Sequence, residues 1–120
     1  MKTNNIIVDS FDKLPSPSYV CEEKLLEKNL KLLKRIQDEA DVNILLALKG
    51  FAMWSTFDLC KKYLKGCCAS GLHEAILAKE EFGGEVHTYS AAFKDDEIDE
   101  IISISNHVVF NSFSQLKRYK

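Results

Sequence analysis

Lys49 is the residue best placed for chemistry: it follows a short apolar run, residues 43–48, and precedes Gly50. Such a run reads as a strand covered on both faces. Parallel α/β folds put their ligands beyond the carboxyl ends of strands. In an apolar, partly dry mouth a lysine loses part of its preference for the charged form, and its neutral amine can attack an aldehyde to form an imine. A strand-end lysine can equally be a solvated charge, as Lys31, Lys34 and Lys61 are read to be.

His73 and Glu74 fall early in a segment of helical length, where they can line the same mouth or stand as an exposed polar pair. Phe51, Met53 and Trp54 read as the cover of the sheet's end. His87 lies inside a strand candidate and His107 begins one, and with Cys67 and Cys68 they raise the question of a metal. Their spacing matches no compact zinc pattern, and the histidines are not four apart on a helix, so no metal site is expected. Gly83-Gly84 lacks the glycine spacing of a phosphate loop and reads as a turn.

The elements that would position these residues follow from periodicity. Leu14-Pro-Ser-Pro-Ser-Tyr19 is extended or turned, because each proline disfavours helix in the residue before it. From 22 to 40, Leu26, Leu30, Leu33, Ile36 and Ala40 recur at spacings of three and four, which predicts a helix buried on one face. Short strand candidates follow at 43–48, 67–69, 86–89 and 107–110, alternating with helical segments at 54–64, 72–82 and 95–104. Asp95 or Asp96 is expected to cap the last of these. Strand starts about every twenty residues are the rhythm of βα units around a parallel sheet. Four strands are too few to close a barrel of roughly 250 residues. Residues 113–120 read as the start of another helix, so a truncated domain is expected.

Composition narrows the partners. Sixteen basic and 18 acidic side chains leave a formal charge of −2, which builds no field that would draw nucleic acid or an anionic membrane. No run approaches the roughly 18 apolar residues of a span, and the start does not look like a signal peptide. Cys21, Cys60, Cys67 and Cys68 form no CxxC pair, which predicts reduced thiols and a cytoplasmic setting.

The segment Leu-Leu-Ala-Leu-Lys-Gly-Phe-Ala-Met-Trp-Ser, residues 45–55, closely resembles the pyridoxal-phosphate lysine segment of the carboxynorspermidine/carboxyspermidine decarboxylases, in the alanine-racemase-like fold group. Pro17-Ser-Tyr-Val20, Ala69-Ser-Gly-Leu-His-Glu74, Glu81-Phe-Gly-Gly-Glu-Val-His-Thr-Tyr-Ser90 and His107-Val-Val-Phe-Asn-Ser-Phe-Ser-Gln115 agree in order. The resemblance implies an α/β fold, here a partial (β/α)8 barrel of about four βα units. Residues 1–20 would be an N-terminal extended segment, and 21–120 the N-terminal part of the barrel. It also implies pyridoxal 5'-phosphate as cofactor, a small-molecule polyamine precursor as substrate, and a homodimer in the full-length parent. Lys49 carries over as the covalent attachment point and catalytic residue. His73 and Glu74 carry over to the vicinity of the cofactor, and Ser70 and Asn111 to the mouth. One departure stands out: several wider relatives place an aspartate before Cys-Ala-Ser, where this chain has Cys67. Two other readings are an inactive fragment serving as a noncatalytic interaction module, and a cofactor-binding α/β protein of the racemase type.

Overall fold

In the computed structural model, which describes residues 12–120, the chain alternates strands and helices. The order is α1 (Glu23–Ala40), β1 (Leu45–Ala47), a 3-10 turn (Trp54–Thr56) running into α2 (Phe57–Cys60), β2 (Gly66–Ala69), α3 (Leu72–Leu77), β3 (Glu85–Ser90), α4 (Ile98–Ile104), β4 (His107–Phe110) and α5 (Phe113–Arg118). The strands form one parallel sheet ordered β1-β2-β3-β4. Sequential parallel strands with their helices on one side are the winding of a (β/α)8 barrel, so the expected partial barrel is the fold. The expected extended segment, 1–20, falls in part outside the described residues. Of its described part, 12–20, residues 12 and 13 lie in a 3-10 turn and 14–20 contain neither helix nor strand.

The side chains facing the helices make the core. Leu48, Cys67, Ala69 and Val86 from the sheet are buried against Leu30 of α1, Phe57 and Cys60 of α2, and Ala75, Ala78 and Phe82 of the α3 region. A second cluster joins Phe93, Ile98 and Ile101 to Val108, Phe110 and Tyr119. Two aromatic pairs, Phe57 with Phe82 and Phe93 with Phe110, meet edge to face. Close backbone approach lets β2 and β3 pair: a Cβ on Gly66 would come within 2.0 Å of the Glu85 carbonyl oxygen.

Several local expectations need correction. The buried stripe of α1 ends on Gln37, while Ile36 and Ala40 are exposed. Gln37 tolerates burial because its Nε2 donates to the Tyr63 carbonyl at 2.7 Å and its Oε1 accepts the Ile44 N–H at 2.7 Å. The helix expected over 54–64 is broken into a 3-10 turn, four α residues and further turns. In the helix expected over 72–82 only 72–77 is α, and Ala78–Phe82 widens into a π turn that Gly83 ends at φ +73°. Neither Asp95 nor Asp96 caps α4, which starts after Glu97 without a side-chain cap. Asp95 instead pairs with Arg118 and accepts the Tyr119 hydroxyl at 2.7 Å, which fastens α5 to the loop before α4. Finally, β1 is covered on one face only: Leu45 and Leu46 are half-buried and Ala47 is exposed.

Candidate functional site

The face of the sheet turned away from the helices is uncovered among the described residues. The register builds it in rows. Leu45, Gly66 and Glu85 align at the amino end, and Ala47, Cys68, His87 and His107 form the row after it. Two residues further on, Tyr89 aligns with Val109, and Lys49 and Ser70 occupy the same step beyond β1 and β2.

Lys49 stands in the turn where β1 ends, held by the Leu48 N–H on the Cys68 carbonyl at 3.0 Å and by the Gly50 and Phe51 N–H groups on the Ala47 carbonyl at 3.0 and 3.1 Å. It is exposed. The described residues therefore do not supply the dry surroundings that imine chemistry favours. Its charge reaches the thiol of Cys68: burial raises the Cys68 pKa, and the Lys49 ammonium opposes that rise. The register places Cys68 on the open face, and Lys49 follows two residues after its partner Ala47.

Ser70 and Glu74 are joined directly, the Ser70 N–H donating to Glu74 Oε2 at 2.7 Å. Glu74 lies in the first turn of α3, and this contact ties that turn to the chain just before the helix, so it has a structural use of its own. His73 is exposed on α3. Asn111 follows β4 and accepts the Tyr89 hydroxyl at 3.1 Å, while its own N–H donates to Gln115 Oε1 at 3.1 Å. Lys49, Ser70 and Asn111 thus share the carboxyl end of the sheet, and Glu74 is tied to Ser70.

Cys67 resolves the departure noted in the sequence. It points to the helix side with no exposed surface, and burial, then the neighbouring Cys68 and Cys60, pushes its thiol up to about 12. An aspartate there would be a buried carboxylate, whereas a neutral thiol packs as a small hydrophobe.

Sequence spacing missed one convergence. Glu85, His87 and His107 offer ligand atoms that all lie within 4.8 Å of one another. The available signal was alternation within β3 combined with the pairing of β3 to β4, which places 85, 87 and 107 on one face. A separate apolar groove of about 890 Å³ runs between the Tyr19–Glu22 segment, the start of α1 and residues 50–55, bordering the Lys49 turn.

Comparison with known proteins agrees with this geometry. No family model matches the chain. It is 47% identical over 110 residues to the carboxynorspermidine/carboxyspermidine decarboxylase of Campylobacter jejuni subsp. jejuni, covering 92% of this chain and 29% of that protein. It is 46% identical over 107 residues to the carboxyaminopropylagmatine decarboxylase of Synechocystis sp., covering 89% and 28%. Among solved structures, the crystal structure of carboxynorspermidine decarboxylase complexed with norspermidine from Campylobacter jejuni matches with a TM-score of 0.86 at 48% identity, over 88% of this chain and 29% of that one. The chain thus spans less than a third of the length of the curated relatives it matches. Over that span it is a homologue of the carboxynorspermidine/carboxyspermidine decarboxylases.

Proposed function

We propose that the protein to which this chain contributes is a pyridoxal-phosphate-dependent decarboxylase that converts carboxynorspermidine or carboxyspermidine to norspermidine or spermidine. The observation that carries the reading is the 47% identity to such a decarboxylase across a segment whose Lys49 sits in the turn just after a parallel strand. The donor set fits the cofactor: an exposed primary amine stands on the open face, with the polar side chains of Ser70, Tyr89 and Asn111 near the same end of the sheet. When bound, pyridoxal phosphate supplies an electron sink for the bond that loses carbon dioxide. Lys49 holds the group covalently. Ser70 and Asn111 line the mouth, and Glu74 and His73 act beside them, Glu74 by fixing the Ser70 backbone.

The setting proposed is a cytoplasmic homodimer acting on a small polyamine precursor, with no nucleic-acid or membrane partner. Among the described residues no helix is long and apolar enough to cross a membrane. Residues 21–120 are proposed as the N-terminal part of the barrel.

Borohydride reduction of the full-length protein followed by peptide mass analysis is expected to place a pyridoxyl adduct on Lys49. An adduct on another lysine in active protein overturns the assignment. Decarboxylation rates compared for carboxynorspermidine, carboxyspermidine, carboxyaminopropylagmatine and ornithine are expected to put one of the first two highest. Ornithine in first place overturns the substrate class, and carboxyaminopropylagmatine in first place moves the chain toward its Synechocystis relative. The 120-residue chain alone is expected to show no substantial turnover, because Lys49 supplies attachment while ring and phosphate need further groups to orient them. Parent-like turnover by the chain alone would defeat that expectation.

A further inference from the structure

The row of the open face just below Lys49 holds a cluster that the decarboxylase reading leaves unused. Glu85 and His87 sit two apart on β3, and His107 on β4 is the register partner of His87. Glu85 Oε2 and His87 Nε2 are 3.1 Å apart, and the two imidazole centroids are 4.3 Å apart. One ligand atom from each of the three residues lies within 4.8 Å of the other two.

These spacings suit a cation. Zinc holds nitrogen and oxygen ligands at about 2.0–2.1 Å, which sets the ligand atoms of a tetrahedron about 3.3 Å apart. The Glu85–His87 edge is already near that length, and the other two edges lie within 4.8 Å. A proton shared between Glu85 and His87 accounts for one contact and leaves His107 out of it. A cation uses a lone pair from all three. Two imidazoles and one carboxylate are a donor set for a borderline divalent metal, and the carboxylate offsets one of its charges.

We propose that Glu85, His87 and His107 bind one divalent transition-metal ion of the zinc class on the inner face of the sheet, leaving a coordination position open to water. The two histidines come from adjacent strands and the glutamate from the same strand as one of them. The site is therefore rigid in the direction of the sheet and adjustable through side-chain rotation. It stands independently of the decarboxylase reading.

The test is a titration of the full chain with Zn²⁺ and with Co²⁺ under reducing conditions, circular dichroism being recorded on every sample. One ion per chain is expected, with a Co²⁺ spectrum of nitrogen and oxygen ligation. Glu85→Gln, His87→Ala and His107→Ala are each expected to weaken binding by more than the roughly 10–100-fold that loss of an outer-shell partner costs. His73→Ala, which removes the remaining histidine of the three in the chain, should leave metal affinity unchanged. Cys68 neighbours His87 in register, so a thiolate-to-cobalt band that disappears in Cys68→Ser would assign the ion to the cysteine and overturn the proposal. Unchanged affinity in His87→Ala and His107→Ala, or no saturable binding by the folded chain, overturns it as well. Should His87→Ala alter the dichroism, His87→Gln and His107→Ala, both at positions on the open face, carry the test.

Discussion

The two faces of this four-stranded sheet are built from the same strands and follow different rules. On the helix side, Cys67, Ala69, Val86 and Thr88 are buried, and the one polar member is satisfied by Thr88 Oγ1 on Ser105 Oγ at 2.8 Å. On the other side, alternate positions of the same strands carry Cys68, His87, Tyr89 and His107, which are half-buried or exposed. The first face is fixed by volume, since close-packed interiors feel the loss of single methylene groups. The second is fixed by which chemical groups the register sets side by side. In a parallel sheet, one face can therefore secure the fold while the other stays free to vary in chemistry.

The strongest way to break this contrast is to open a cavity on the packed side. Phe57 is 1% exposed and meets Phe82 with ring centroids 5.5 Å apart. Phe57→Ala is expected to cost about 3–5 kcal/mol, the usual range for a buried phenylalanine. Native-state hydrogen exchange of the β2 and β3 amides reads this locally, without requiring whole-chain cooperativity. Protection that survives would mean that the helices contribute little to holding the sheet. Next comes Gly66→Ala. Its Cβ would meet the Glu85 backbone, and the strands must separate to admit it, at about 1–3 kcal/mol by the same measurement.

The same contrast explains what could be read from the sequence. The order of elements and the parallel sheet were legible because strand-length apolar runs and helical stripes alternate about every twenty residues. The place of Lys49, just past the first strand and before Gly50, was legible because the apolar run ends there. Gln37 was not: a glutamine between exposed Ile36 and Asp38 looks like a surface residue until Tyr63 and Ile44 supply its two partners. Asp95 looked like a cap because aspartate before a helix usually is one, and the Arg118 and Tyr119 that claim it lie more than twenty residues away. The Glu85, His87 and His107 convergence was hidden for a related reason. Metal patterns read along the chain presume local spacing, whereas this one is assembled across a strand pair.

A smaller effect tests the packed face through protonation. The folded pKa of Cys67, pushed up to about 12, lies above its ordinary 9.0. Below the ordinary value both the folded and unfolded chains keep the proton, and the stabilising contribution of the buried neutral thiol is complete. As pH rises above about 9, the unfolded chain sheds the proton while the folded one retains it, so stability falls until the folded pKa is reached. Amide protection in β2 is therefore expected to decline with rising alkalinity, after correction for intrinsic exchange, and Cys67→Ala should flatten that decline. An equal slope in the variant would assign the effect to other groups.

The smallest expected effect is the sharpest test, because it compares neighbours in one strand. Val108 packs against the cluster of Phe93, Ile98 and Ile101, while Val109 faces the open side and is 51% exposed. Valine to threonine keeps the shape and replaces a methyl group with a hydroxyl, so the substitution reports on surroundings more than on size. At 108 the hydroxyl enters an apolar cluster, and a buried polar group without a partner costs about 1–3 kcal/mol. At 109 water satisfies it, and the change should stay within about 0.5 kcal/mol, the usual range for surface positions. Both values come from exchange of the β4 amides in the 120-residue chain. A Val109→Thr cost as large as that of Val108→Thr would show that the open face is covered in solution, either by a second copy or by another part of the chain. Repeating the pair in a protein of the relatives' full length extends the comparison. If a completed barrel closes over the open face, the cost at 109 should rise toward that at 108, while the cost at 108 stays where it was.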